Sequence, residues 1–495
     1  MNPSAPKTAS RRPVLAALRD PKVLRTEVLA GLVVALALIP EAISFSIIAG
    51  VSPSVGLFAS FTMAVVISVV GGRPAMISAA TGAVALVVAP LVHDHGLGHL
   101  LAAVILGGLV QVALGAIGVA GLMRFVPRSV MVGFVNSLAI LIFLAQVPEL
   151  VDVPWVVYPL VVGALVLMVL FPRLTKVVPA PLVSIVALTA LTVGAGIAVP
   201  TVGDRGELPS SLPVPGIPDV PLTLETLRII APYALALALV GLMESLMTAK
   251  LVDDLTDTRS NKTRESIGQG VANVVTGFFG GMGGCAMIGQ TMINVKSGAR
   301  TRLSTFLAGS FLMVLCVVFG PVVSQIPMAA LVAVMVLVSF ATFDWHSVAP
   351  ATLRRMPVGE IGVMVITVAV VVATHNLAIG VVVGSIAAMA VFARRVARVA
   401  AVEARQDGDR VVYTVTGELF FASSNDLAHR FDYAGDPDRV VIDLSAAHIW
   451  DASSVAVLDA VTAKYEQRGK TVEITGLNRH SAEIHGALTG ELRSH

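Results

Sequence analysis

Along this chain, apolar runs of roughly bilayer-crossing length alternate with short polar breaks. A hydrocarbon core of about 30 Å needs about 20 apolar helical residues. That template places segments at 28–48, 54–71, 76–91, 99–121, 129–147, 153–171 and 180–199. A Pro- and Gly-rich connector, Pro200 to Pro221, precedes a second set at 226–249, 265–281, 285–296, 302–323, 327–343, 359–375 and 377–394. The pattern predicts a polytopic α-helical membrane protein with 14 spans, seven on each side of the connector.

Beyond Glu403 the pattern becomes that of a water-soluble α/β fold. A strand pair is expected at 410–415 and 418–421, turning near Thr416-Gly417, then a helical segment to Asp432 and a strand at 440–444. Asp451 to Ser454 sit in capping position before the apolar stripe Val455, Leu458 and Val461, and a strand from Thr471 to Thr475 and a short helix follow. The domains are therefore a tail at 1–27, a first repeat at 28–199, an external connector at 200–225, a second repeat at 226–396 and a small domain at 403–495.

Charge supports the count. Lys and Arg concentrate in cytoplasmic loops. Alternate loops hold Arg73; Arg124 and Arg128; Arg173 and Lys176; Lys250 to Arg264; Lys296 to Arg302; Arg354 and Arg355; and Arg394, Arg395 and Arg398, whereas the opposite loops hold only Arg205. Both termini are placed in the cytosol. The basic tail carrying Arg11, Arg12, Arg19, Lys22 and Arg25 reads as retained, with no small-residue cleavage site after it. Overall composition, 56% hydrophobic and 13% charged, excludes an ordinary soluble protein, for which about 25% charged is usual. A net charge of +2 gives no reason to expect nucleic acid. Cys285 and Cys316 lie in apolar runs and read as buried small hydrophobes.

An odd number of spans per half inverts the second repeat relative to the first, an arrangement common in secondary transporters. The third span of each half is abnormal. One follows Gly71-Gly72-Arg73-Pro74 and stops at Pro90; the other follows Gly280-Gly281-Met282-Gly283-Gly284 and is apolar only from Cys285 to Val295. Two half-helices in equivalent positions point to a site at mid-membrane, because non-helical backbone at that depth is tolerated only against protein or a water-filled cavity. Their N-termini carry free N–H groups and positive dipole ends, so the ligand is expected to be a small anion. The candidate residues are Ala80, Thr81 and Gly82 in the first half and Gly289, Gln290 and Thr291 in the second, none of them Lys or Arg. Two intramembrane carboxylates accompany them: Glu41, after Pro40, and Glu244, with Thr248 one turn further on the same face. Glu244 and Thr248 are the candidates for a coupling cation, either Na⁺ on oxygen ligands or a proton on the carboxylate. No other cofactor or metal is expected. His93, Asp94, His95 and His99 read as solvated loop residues, and Asp253, Asp254 and Asp257 as a solvated, salt-bridged turn.

Several stretches resemble the SulP family of anion permeases, which includes sulfate permeases and bicarbonate transporters. They are Ile39-Pro40-Glu41-Ala42-Ile43-Ser44-Phe45, Ser78-Ala79-Ala80-Thr81-Gly82, and Gln290-Thr291-Met292-Ile293-Asn294-Val295-Lys296-Ser297-Gly298-Ala299-Arg300-Thr301. The tail resembles a STAS domain. The resemblance implies a seven-plus-seven inverted repeat with core and gate domains, a homodimer, elevator motion, a bacterial inner membrane, and an anion held between the third and tenth helices with Phe45 lining the pocket. Gln290 replaces the Arg of many members and Glu41 the usual Gln, and both changes favour cation-coupled symport. Ala452 occupies the place of the serine phosphorylated in anti-sigma-factor antagonists, so no phosphorylation switch is expected there. The alternatives are an uncoupled exchanger or passive anion channel, or a nucleobase permease, which would lack the STAS tail.

Overall fold

The computed structural model describes residues 14–118, 121, 126–174, 179–221, 223–397, 401–424 and 427–490. Arg11, Arg12, Arg124, Lys176 and Arg398 of the charge pattern lie outside them. The chain forms two compact units, Met1–Ser385 and Ile386–His495. The first begins with α1 (Val14–Arg19), α2 (Pro21–Ile48), α3 (Pro53–Val70), β1 (Ser78–Ala79), α4 (Gly82–Ala116), α5 (Arg128–Leu144), α6 (Val157–Leu170) and α7 (Ala180–Gly194). It continues with α8 (Leu224–Thr256), α9 (Lys262–Phe278), β2 (Cys285–Ala286), α10 (Ile288–Lys296), α11 (Arg302–Val323), α12 (Met328–Thr342), α13 (Trp345–Val348), α14 (Pro350–Leu353) and α15 (Val358–Thr374). α16 (Leu377–Ala397) contains the boundary between units.

Seven of these helices are long and apolar enough to cross a bilayer, and four shorter apolar ones accompany them among the described residues. Each predicted segment falls on a helix, with three differences. Segments 76–91 and 99–121 share α4, which is broken at Gly96 where φ is +78°, a conformation glycine adopts without steric cost. His93, Asp94, His95 and His99 flank that break within the helix rather than in a free loop; His93 bonds Asp94 at 2.8 Å. The third difference is that both abnormal segments begin as extended chain, with α4 starting only at Gly82 and α10 only at Ile288.

Packing repeats between the halves. α4 packs on α8 and α9, as α11 packs on α2 and α3; α5 packs on α15, as α12 packs on α6. A shift of seven segments carries each contact into the other, the relation expected of two equivalent halves. The helices fall into two groups: α2, α3, α4 and α8 to α11, and α5, α6, α7, α12 and α15.

Polar side chains deep in the first group satisfy backbone that no helix can. Glu265 on α9 accepts from the N–H groups of Gly72 at 2.7 Å and Arg73 at 2.9 Å, and Glu27 on α2 accepts from Arg300, Thr301 and Ser304 at 2.8–3.1 Å. Arg73 in turn meets Asp253 at 3.0 Å and Thr258 at 2.7 Å, so the expected salt bridge is present, with Asp253 half-buried while Asp254 and Asp257 are exposed. Removing a carboxylate from such a place leaves buried donors unpaired, which costs about 1–3 kcal/mol per group. Glu265→Ala is therefore expected to lower stability by about 3 kcal/mol, measured by thermal unfolding in detergent, with Glu265→Gln losing less.

The second unit carries a four-stranded sheet in the order β3 (Ala401–Asp407), β4 (Arg410–Leu419), β5 (Arg439–Ile449), β6 (Thr471–Thr475). β3 and β4 are antiparallel; β4–β5 and β5–β6 are parallel. α17 (Phe421–Ser424), α18 (Ala452–Glu466) and α19 (Arg479–Leu488) complete it, and Asp451 caps α18 by accepting from Ser454 N at 3.0 Å. The expected hairpin at Thr416-Gly417 is incorrect. β4 runs through it as one strand with a register shift between Thr414 and Thr416, and Gly417 takes φ of +97°. The hairpin lies earlier, where Asp407 pairs with Arg410 across Gly408 (φ +65°), a two-residue turn that glycine suits. Val411, Tyr413, Val415, Ile442, Leu458 and Tyr465 fill the core. Tyr413 and Tyr465 both donate to Asp436, and burial, followed by that carboxylate, pushes the Tyr465 phenol above its ordinary range.

Candidate functional site

The two extended stretches cross. β1 pairs antiparallel with β2, Ser78 opposite Ala286 and Ala79 opposite Cys285, and Met287 N continues the ladder to Ile77 O at 2.9 Å. Each strand is two residues long, and a helix begins within three residues of its end. The pairing brings the N-terminus of α4 and that of α10 together, and their first-turn N–H groups have no partner within their own helices. Thr81 is the N-cap of α4, its Oγ1 accepting from Val84 N at 3.4 Å. At α10 the cap position holds Met287, and no side chain caps the helix. The positive ends of two helix dipoles therefore converge on one place.

Neighbouring helices hold the crossing by its backbone. Ser60 of α3 accepts from Ala80 N at 3.3 Å, and Ser245 of α8 accepts from Ala286 N at 3.0 Å. Asn273 of α9 bonds both N and O of Gly284, at 2.9 and 3.0 Å, and Gln269 of α9 donates to Ser78 Oγ at 2.7 Å. Thr291 accepts from Ile77 N at 3.0 Å, so its hydroxyl fastens the crossing. Thr248 likewise donates to the carbonyls of Glu244 at 2.8 Å and Ala286 at 3.5 Å. Its hydroxyl is directed to backbone, not to the Glu244 carboxylate.

The remaining candidates line the crossing. Gly82 needs its missing side chain, because a Cβ there would lie 2.9 Å from Phe45 Cε1 and 3.0 Å from Ile142 Cδ1. Phe45 is buried one turn beyond Glu41, whose carboxyl faces the side-chain amide of buried Gln290. Gly289 is exposed, and a Cβ there would meet nothing within 4 Å, so the first turn of α10 opens onto free space. Glu244 is buried and accepts from Cys285 Sγ at 2.9 Å, and the same sulfur contacts Thr81 Oγ1 at 3.2 Å. Cys285 is therefore a bonded member of the site rather than a small hydrophobe; Cys316 is buried in the apolar core.

Sequence reasoning did not single out Ser60, Ser245, Gln269, Asn273 or Cys285. For two of them a signal existed: Gln269 and Asn273 stand four apart within one span, a polar stripe that apolar surroundings do not explain.

A bundle of apolar helices whose centre is two broken helices meeting at their N-termini, followed by a four-stranded α/β domain, is the architecture of a multi-pass membrane transporter with a STAS tail. This chain belongs to the sulfate permease family, whose model matches residues 24–158 and 152–368, and the STAS domain model matches residues 401–489. "Putative sulfate transporter YbaR" of Bacillus subtilis is 54% identical over 461 residues, covering 93% of this chain and 96% of that one. The transmembrane domain of a cyanobacterium bicarbonate transporter, BicA, superposes with a TM-score of 0.64 at 25% identity, over 74% of this chain and 98% of that one. The murine Slc26a9 anion transporter in its inward-facing state gives a TM-score of 0.80 over 96% of this chain and 89% of its own; at 17% identity this likeness shows the fold.

Proposed function

We propose that this protein carries a small oxyanion across the bacterial inner membrane, concentrating it by proton symport. Sulfate is the first candidate, since the relative 54% identical over nearly the whole chain is named for sulfate; bicarbonate and a dicarboxylate follow. The observation that carries the reading is the convergence of the α4 and α10 N-termini at a crossing with open space at Gly289 and no Lys or Arg among its bonded side chains. Amide N–H groups, the Thr81 hydroxyl and the Gln290 amide then bind the anion. Such a site is specific for negative charge yet releases readily.

Glu244 is the coupling group. Buried and paired with a neutral thiol, its charge is costly, so a cation must accompany the anion. A proton is favoured over Na⁺ because the partner bonded to the Glu244 carboxylate is the Cys285 thiol, whereas a hard cation takes oxygen ligands. Motion of the helix group carrying the crossing against the group of α5, α6, α7, α12 and α15, in a homodimer, supplies alternating access of the elevator kind. The alternating basic loops support cytosolic termini and a cytosolic STAS domain.

Purified protein in liposomes, loaded with a panel of sulfate, bicarbonate and dicarboxylates under imposed pH or Na⁺ gradients, tests this. Accumulation of one anion above equilibrium is expected with the interior alkaline and is expected to be independent of Na⁺. Uptake indifferent to both gradients would establish exchange or passive conduction instead.

A further inference from the structure

Cys285 lies between the group proposed to take the proton and the helix end proposed to take the anion. It is fully buried in β2, with its sulfur 2.9 Å from Glu244 Oε2 and 3.2 Å from Thr81 Oγ1. Thr81 is also the N-cap of α4. A thiol has one hydrogen to donate, and a hydroxyl has one hydrogen and two lone pairs. The three side chains therefore form a chain with only two self-consistent directions.

We infer that Cys285 is a positioning residue that relays the protonation state of Glu244 to Thr81, and so makes anion affinity depend on the proton. The inference rests on the symport reading. With Glu244 ionised, the Cys285 S–H donates to Oε2 and the Thr81 O–H donates to the sulfur, so the hydroxyl hydrogen is turned away from the anion. With Glu244 protonated, its new O–H donates to the sulfur and the S–H turns to Thr81 Oγ1. The Thr81 hydrogen is then free to donate to the anion, while its second lone pair still caps Val84 N. No covalent bond changes apart from the O–H formed by the incoming proton.

Among the described residues, Glu244 is the one charged side chain bonded to Cys285. α8 is packed by α4, α9, α10 and β2. Their titratable and charged side chains, other than Cys285, are engaged or placed elsewhere. On α4, His93 bonds Asp94, His95 is exposed, and His99 bonds the His95 carbonyl. On α9, Arg264 bonds the carbonyls of Val69 and Val70, and Glu265 bonds Gly72 and Arg73. Lys262 and Lys296 stand at the first residue of α9 and the last of α10. On α8 itself, Glu225, Arg228 and Tyr233 are about three turns or more from Glu244, Lys250 is exposed, and Asp253 pairs with Arg73 while Asp254 is exposed. Glu41, from α2, faces Gln290.

The test is the apparent KM for sulfate, in proteoliposomes of the full chain, between about pH 8 and about pH 6, for the wild type, Cys285→Ala and Cys285→Ser. Wild type and Cys285→Ser, which keeps a donor and acceptor in the chain, are expected to bind about tenfold more tightly at the acid end, the worth of one hydrogen bond to a charged group. Cys285→Ala is expected to exchange sulfate at a pH-independent KM and to lose gradient-driven accumulation. A purely structural cysteine would lower the amount or rate of transport at every pH and leave the KM profile intact. Wild type driven by the pH gradient, with Cys285→Ala keeping its pH-dependent KM, overturns the relay alone. Wild type indifferent to pH overturns both symport and relay. Where Cys285→Ala does not insert, infrared difference spectra of the wild type decide: the S–H band of Cys285 must move to higher frequency on acidification, as the acceptor changes from carboxylate to hydroxyl. An unmoved band overturns the relay.

Discussion

Glu244→Gln is expected to abolish accumulation while the protein still inserts and exchanges anion. A pH gradient of one unit is worth about 1.4 kcal/mol per proton, or about tenfold in concentration. A transporter that cannot take up the proton loses that whole factor, and internal anion falls to its passive level. Gln keeps the size of Glu and still accepts from the Cys285 thiol, so packing of α8 on β2 is preserved. The buried carboxylate also carries a desolvation cost that the amide does not, so thermal stability is expected to hold or rise. Anion KM in the variant becomes independent of pH. Concentrative uptake and thermal unfolding, measured on one preparation, separate these effects, and undiminished accumulation would remove Glu244 from the mechanism.

The spans were legible because lipid enforces one rule: backbone polar groups must be satisfied within the segment, which makes apolar length diagnostic. The broken segments were legible for the converse reason. Gly280 to Gly284 and the short run to Val295 cannot form a crossing helix, and the structure places an extended strand and a nine-residue helix there. The internal wiring of the site was not legible. Thr248 follows Glu244 by one turn, and spacing alone directs both at one ligand, yet its hydroxyl returns to the Glu244 carbonyl, as Thr in an apolar helix commonly does. Cys285 looked inert because its two partners come from α8 and from the start of α4, distant in sequence by 41 and 204 residues. β3 escaped notice because Val402 is its single large apolar residue, on a strand exposed along most of its length. Gly417, by contrast, looked like a turn because glycine marks both turns and bulges.

Gly284→Ala is expected to be the most damaging single-methyl change at the crossing. A Cβ at 284 would stand 2.0 Å from the Ala79 carbonyl oxygen and 2.6 Å from its carbon. Both atoms are backbone of the opposite strand, so no side-chain rotation relieves the clash. The strands must part, and with them go the two bonds of Asn273 to Gly284 and the alignment of the α4 and α10 N-termini. Overpacking of this kind costs about 1–3 kcal/mol, occasionally more, and a displacement of about 1 Å at a binding constellation costs about 100-fold in rate. Gly289→Ala adds the same methyl five residues on, where it meets nothing within 4 Å. Its fold is expected to be undisturbed, within about 0.5 kcal/mol. The methyl does enter the open space at the α10 N-terminus, so anion KM rises while thermal unfolding stays unchanged. Melting temperature and transport, compared across the two variants, thus distinguish the glycine that shapes the crossing from the glycine that leaves room for its ligand. Equal loss of stability in both would show that the open space at Gly289 is filled in the folded protein, and the anion site would then have to lie elsewhere.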